Sequence, residues 1–418
     1  MTATDLPSPP TVAGASATVR PRRQMAATPP VVLLGGRGAA LSVARSLALL
    51  GAAVHVVSTG FAPVASSRHC ATFTRTEGAD TQAEWLAWLE RGPRGAVLLP
   101  CHDDGLELIA RHRPLLRDWG YLPVEADDGI VLTMLDKLRT YALARALDVP
   151  APRTRALREP RDVEAAVAEL TFPCALKPRR AHVLARHSTR KAFVVANEAA
   201  LRRELAALAP TGVEMLATEI VPGGDDQFVS YYTYLDERGA PLAHFTKRKL
   251  RQYPVHFGLI TYQVTEWVPD VAELGLRFAQ GAGLRGLAAI EFKRDATDGA
   301  FKLIECNHRF TASNEIVRLS GTDLAVIAYR RAAGQPVAPV VGFREGVRLW
   351  NPVEDVAALL SYRLAGEITT VEWARSLARR QRFSTFRWSD PAPALASWRE
   401  VGRRVARRAA RRRARGSG

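Results

Sequence analysis

The stretch KLIECNHRF (302–310) places three hydrogen-bonding side chains, Glu305, Asn307 and Arg309, at alternate positions. An extended strand sends every second side chain to one face, so a carboxylate, an amide and a guanidinium would stand in a row. The longer segment LAAIEFKRDATDGAFKLIECNHRF (287–310) reads as two strands around Thr297-Asp298-Gly299, a hairpin. With the turn centred on Asp298, Glu291 lies opposite Glu305 and shares its face. Glu291, Glu305 and Asn307 then form an oxygen-rich patch. That donor set suits Mg²⁺, with Mn²⁺ as an alternative, because a hard cation takes oxygen ligands and keeps substrate phosphates as others. The register decides it: a two-residue turn at Asp298-Gly299 would put the two carboxylates on opposite faces. The competing reading is a surface strand whose charges pair with Lys293 and Arg309.

The lysines add a second signal. Of 58 basic residues only seven are Lys, at 137, 177, 191, 247, 249, 293 and 302, and the other 51 are Arg. A compact ammonium and a planar guanidinium are not interchangeable against a phosphate oxygen. A chain that uses Arg for general positive charge has kept Lys in one window. Roughly four of the seven are expected to be functional on that chemical difference, with Lys302 a candidate for plain solubility.

The elements that must position these groups follow from pattern. PPVVLLGGRGAALSVARSLALLGAAVHVVST (29–59) reads strand, Gly-rich turn, helix, strand, the start of a parallel sheet. Gly36 and Gly38 fit G-x-G, but Leu41 takes the third place and the second strand ends without an acidic residue for a ribose. A dinucleotide site is therefore set aside. Asp103 and Asp104 follow the strand in GAVLLPCHDDGLELIARHR (95–113), where they either face a ligand or cap the next helix. A helical stretch closes at Pro150. The segment ELTFPCALKPRR (169–180) is a short strand ending at Lys177-Pro178, and residues 212–254 hold several β segments. Residues 345–398 read as mostly helical.

Composition bounds the rest. The 418 residues are 47% hydrophobic and 24% charged, which suits a folded enzyme rather than a disordered chain. Residues 1–28 lack a continuous apolar run and read as a flexible tail. Four scattered cysteines without CxxC pairs point to a reducing compartment, hence a cytoplasmic location. Net charge is +16, but residues 399–418 alone hold nine Arg against one Glu. That Arg-rich tail reads as solvated, with contact to an anionic lipid or nucleic-acid surface as the alternative. No Ser-His-Asp or Cys-His signature is present, and His256 and His308 read as structural histidines.

Four features precede the hairpin in fixed order: Asp136-Lys137, Phe172-Pro173 with Lys177-Pro178, Thr218-Glu219, and Pro222-Gly223. With them, the chain from about Val31 to Asp323 resembles the ATP-grasp superfamily. KRKLRQYPVHFG (247–258) and FRWSDPAP (386–393) look like the carboxylate–amine ligases related to D-aspartate ligase. The resemblance implies an α/β (α+β) ATP-grasp fold. It divides the chain into a Rossmann-like pre-ATP-grasp domain over 29–125, an ATP-grasp domain over 126–340 with a small lobe at about 152–218, and a helical extension over 341–398.

The resemblance also implies roles. Lys137 and Lys177 would contact the phosphates of ATP. Glu219 would receive the adenine amino group, with the backbone of Ile220 and Val221 on the ring and Asp226 on the ribose. Glu291, Glu305 and Asn307 would hold Mg²⁺. Arg309 would bind the γ-phosphate or an acyl phosphate, and Lys249 or Arg251 would neutralise the transferring phosphoryl group. Asn314 and Arg318 would line the substrate pocket. The family's Gly-rich flap is replaced by RRAHVLARHSTRKAF (179–193), in which Arg179, Arg180, Arg190 and Lys191 would supply charge instead. The implied reaction joins a small-molecule carboxylate to an amine through an acyl phosphate, releasing ADP and phosphate. The rivals are a bicarbonate-activating carboxylase and a non-catalytic nucleotide- or nucleic-acid-binding protein. Members are often dimers, so a homodimer stands beside a monomer.

Overall fold

The computed structural model describes residues 28–36, 38–188 and 190–416; of Pro160, Arg404, Val405 and the residues after Arg407 only the backbone is described. The expected N-terminal tail therefore lies outside the described residues except for Thr28. The Arg-rich segment continues the helix Ala392–Gly416.

Three sheets organise the chain. The first is parallel, with Val31–Leu34 at its centre between Val54–Thr59 and Val97–Pro100, and with Thr72–Thr76 and Leu122–Pro123 at the edges. The central strand VVLL is buried on both faces, as an interior parallel strand must be. The glycines after it serve close packing. A Cβ on Gly36 would come within 2.6 Å of the Ala62 Cβ, and one on Gly35, which has φ +103°, within 2.6 Å of the His102 Cβ.

The second sheet is antiparallel, in the order Thr154–Leu157, Met215–Glu219, Cys174–Pro178, Phe193–Val195. The third has seven strands: Phe301–Asn307, Gly286–Arg294, Phe228–Leu235, Pro241–Tyr253, Leu259–Thr265, Arg348–Trp350 and Arg382–Phe383. One of its faces packs Val229, Tyr231, Ile290 and Phe292 into a core with the helices Lys137–Ala146 and Pro269–Gly281. The other face meets the parallel sheet's side through Tyr232, Tyr234, Phe245 and Ala289. The segment expected to be mostly helical holds the helices Pro352–Leu364 and Thr370–Leu377, and it also adds the last two strands to this sheet.

Two β-bulges decide which side chains share a face. In the hairpin, Arg294 pairs with Phe301, Lys293 with Lys302 and Phe292 with Leu303, and then Glu291 pairs with Glu305. Ile304 is the extra residue, so Leu303 and Cys306 both enter the core, which strict alternation forbids. The turn alone would have set Glu291 against Ile304. The bulge supplies the register that a turn centred on Asp298 was expected to give. It is anchored where it forms: the Tyr141 hydroxyl donates to the Ile304 carbonyl at 2.8 Å, and the Leu303 amide donates to the Pro150 carbonyl at 2.7 Å.

The second bulge, at Leu250, lies between the pairs Lys249–Gln263 and Arg251–Tyr262. It turns Arg251 to the face opposite Lys249. There the Arg251 guanidinium stacks on Tyr262 and pairs with Asp355 at 2.9 and 2.8 Å. Asp355 is fully buried and also accepts from Thr261, Trp350 and Trp373.

Tyr141→Phe leaves the bulge carbonyl without its donor and should cost about 1–3 kcal/mol in denaturant unfolding. Asp355→Ala strands the Arg251 guanidinium in the interior and should cost about 3–5 kcal/mol by the same measurement.

Candidate active site

The Glu291–Glu305 pair starts a row that crosses five strands. Glu305, Glu291, Ser230, Lys247 and Thr265 are each the direct cross-strand partner of the next. All five therefore lie on one face. A parallel row on one side holds Lys302, Lys293 and Phe228, and one on the other side holds Asn307, Ala289, Tyr232 and Phe245.

Each facing carboxylate holds one lysine. Lys137 Nζ lies 3.4 Å from Glu305 Oε1, and Lys249 Nζ lies 3.3 Å from Glu291. Lys249 also donates to Gln252 Oε1 at 3.2 Å and sits 3.7 Å over the Phe228 ring. Burial would raise the Glu305 carboxyl, but Lys137, then Arg309 and Lys191, outweigh it and hold it below the usual range. Asn307 lines a small cavity with Lys137, Glu305, Asp103, His182 and His308. Among the described residues no three His, Cys, Asp or Glu side chains converge on one point. Two carboxylates and an amide oxygen nonetheless fit Mg²⁺, which fills its remaining positions with phosphate oxygens and water.

Lys137 is positioned through its neighbour. Asp136 caps the helix Lys137–Ala146 by accepting from the amides of Leu138 and Arg139. The same carboxylate takes Arg179 at 2.6 Å, and the Lys137 amide donates to the Arg179 carbonyl at 3.1 Å. Arg179 directly follows the strand Cys174–Pro178, so this tie brings Lys177 beside Lys137. Burial, then the like charge of Lys137, pushes the Lys177 amine down to about 8.

At the end of the strand Met215–Glu219, Glu219 accepts from the Arg153 amide at 3.0 Å and lies 3.6 Å from Lys302. Lys302, allowed for as a solubility lysine, pairs with Asp295 at 2.7 Å. Lys293 Nζ donates to the Val221 carbonyl at 2.8 Å, a tie that strand alternation foretold only as a charge near Glu291. Asp226 is exposed on the turn after Ile220 and Val221, while its neighbour Asp225 is buried and accepts from Gln252 and the His256 amide.

Several expected contacts are taken by other partners. Arg251 does not reach the phosphoryl side, because the Leu250 bulge commits it to Asp355. Arg309 meets neither Glu305 nor open space. Its guanidinium is bidentate on Asp103, at the start of the helix Asp103–Asp118 below the parallel sheet. Asn314 donates to Ser42 and Arg318 to Glu315. In the glycine-free segment, Arg180 and His182 pair with Glu107 at 3.2 and 2.9 Å, and Arg186 pairs with Asp104 at 2.8 Å. Arg190 lies over Phe193. Of the four charges expected there, it is Lys191 that acts on Glu305 and Glu291. His256 is ion-paired with Asp225 and Glu367, and burial pushes His308 down to about 4.

No family model matches the chain. It is 25% identical over 318 residues to a D-aspartate ligase of Enterococcus faecium (strain Aus0004), covering 72% of this chain and 74% of that protein. It is 31% identical over 194 residues to a D-alanine–D-alanine ligase of Ectopseudomonas mendocina (strain ymp), covering 43% of this chain and 57% of that one. In fold it is similar to N5-carboxyaminoimidazole synthetase from Staphylococcus aureus, with TM-score 0.60 and 14% identity over 81% of this chain and 86% of that one. The biotin carboxylase domain of the Hydrogenobacter thermophilus 2-oxoglutarate carboxylase, solved with MgADP and bicarbonate, gives TM-score 0.59 and 18% identity over 76% and 72%. Both ligases are ATP-grasp enzymes, and the similarity supports an ATP-dependent ligation of a carboxylate to an amine.

Proposed function

We propose that the facing carboxylates Glu291 and Glu305, each already holding one lysine, form the phosphate-side centre of this ligase. That pair is the observation that carries the reading. Lys137 and Lys177 hold the nucleotide phosphates. Glu219 takes the adenine amino group, with the backbone of Ile220 and Val221 along the ring, and Asp226 takes the ribose hydroxyls. Glu291, Glu305 and Asn307 would hold Mg²⁺, which supplies positive charge along the phosphates when bound. Lys249 neutralises the transferring phosphoryl group as the substrate carboxylate attacks it. Arg309, fixed by Asp103, meets the acyl phosphate. Displacement by the amine then gives the amide and phosphate. The residues act by positioning and charge, so no protein nucleophile is required.

Two of the similar proteins are ligases named for D-amino acids, which makes amino acids the first acids to test. Four free cysteines agree with a cytoplasmic location, and no helix among the described residues is long and apolar enough to cross a membrane. ADP release from Mg·ATP should appear only when an acid and an amine are both offered, across a panel of D- and L-amino acids and bicarbonate. Glu305→Ala should lower it by about 100-fold or more. Release that depends on acid alone, unchanged by any amine, would instead support bicarbonate activation.

Lys177 gives a pH signature. Its amine is charged below about 8 and loses that charge as pH rises through this value in the free protein. Affinity for Mg·ADP should therefore fall between pH 7 and pH 9. Lys177→Arg keeps its charge across that window and should flatten the dependence, measured by calorimetric titration.

A further inference from the structure

Lys247 is the one charged member of the five-strand row that the reaction described above does not use. Its side chain has 0% exposure, and its Nζ has no hydrogen-bond partner. A buried ammonium without a partner is costly, so such a group calls for a counter-charge. The protein offers little. Glu291 attracts it and Lys249 repels it, but Glu291 already holds Lys249 at 3.3 Å. Burial pushes the Lys247 amine down to about 7, which agrees with a charge left uncompensated.

The surroundings identify the missing partner. Lys247 lies two strands from Glu291, on the side away from Glu305 and Lys137. The phosphate-binding lysines 137 and 177 are thus at the far end of the row. Apart from Lys249, which Glu291 already holds, the groups around Lys247 are hydroxyls and an amide. Ser230 and Thr265 flank it across the strands, and the Tyr232 ring lies 5.9 Å away. The Tyr232 hydroxyl pairs with Thr311 at 2.9 Å, and Ser313 donates to Gln263 at 3.0 Å. Thr311 and Ser313 belong to the loop that follows Asn307 and Arg309, so this wall continues directly from the phosphate-side centre. One uncompensated cation among hydroxyl groups, beside a lysine already paired with Glu291, matches a single carboxylate better than a triphosphate.

We propose that Lys247 is the acid-binding residue of this ligase: its ammonium pairs with the carboxylate that is to be phosphorylated and holds it in line with the γ-phosphate. The assignment rests on the ligase reading. It accounts for the lysine's lack of a partner, since the partner arrives with the substrate.

With only seven lysines in 418 residues, ¹³C-labelled lysine gives a spectrum that can be resolved site by site, and Lys247→Met identifies the Lys247 signal by its absence. Mg·AMP-PNP should move the Lys137 and Lys177 signals and leave Lys247 in place. Adding D-aspartate, D-alanine or bicarbonate to the Mg·ADP complex should then shift the Lys247 signal saturably with at least one of them. A Lys247 signal that moves with Mg·AMP-PNP alone assigns it to the γ-phosphate and overturns the proposal. So does a signal that no acid moves while the nucleotide still shifts Lys137 and Lys177. If the nucleotide moves no lysine, it is the ligase reading that fails. Lys247→Met should fold with an unchanged or higher melting temperature, because it removes an uncompensated buried charge. Its KM for the acid should rise about 10- to 100-fold, with KM for ATP within about twofold. Equal rises in both KM values would overturn the assignment.

Discussion

The site depends on a single extra residue. Ile304 bulges from its strand, and the placement of Glu305 and Asn307 opposite Glu291 and Ala289 follows from that shift. Before the bulge the strand alternates one way, with Leu303 in the core. After it, Glu305 and Asn307 face the same side as Glu291 and Lys293. A bulge leaves a carbonyl and an amide without ladder partners. Here Tyr141 and Pro150 supply them, and Tyr141 stands on the helix that begins with Lys137. The element that presents the phosphate-side lysine thus also fixes the register of the carboxylate it meets. Helix, bulge and metal-side carboxylates form one mechanical unit.

Ion pairs carry the same logic between sheets. Arg309 on Asp103 ties the carboxylate strand to the parallel sheet. Arg45 and Asp390, both buried, tie that sheet's first helix to the C-terminal segment at 2.9 Å. Arg387 is bidentate on Glu315, just past the substrate loop. These pairs are shielded from water, so they are worth most as orienting contacts and are damaging when one partner is removed. They explain why the FRWSDPAP segment reads as part of the ligase signature: its Arg and Asp brace the site from behind without touching the chemistry.

Much of this was legible in the chain. Alternation in KLIECNHRF exposed the row, and the order of Asp136-Lys137, Lys177-Pro178 and Thr218-Glu219 gave the fold. The two bulges escaped the sequence reading for one reason. Period-2 reasoning assumes an unbroken strand, and neither bulge has a Gly or Pro to announce it. At Ile304 the break restored the expected pairing by a different route. At Leu250 it turned Arg251 to the face opposite Lys249, where it pairs with Asp355. Arg309 shows a second limit. Its partner Asp103 lies 206 residues away, and a single sequence does not report such pairs. Lys247 was visible as one of seven lysines, but its lack of a partner is a property of packing alone.

The sparing use of lysine has a practical consequence for chemistry done on this protein. Its general positive charge is carried by guanidinium groups, which amine reagents pass over. Of the seven side-chain amines, Lys191 is exposed and the others are buried or half-buried around the nucleotide and acid positions. Acylating, alkylating or cross-linking agents aimed at lysine, which on most proteins scatter over the surface, would here report almost entirely on one cleft. The molecule has in effect gathered its side-chain amines around the sheet face that carries Glu291 and Glu305.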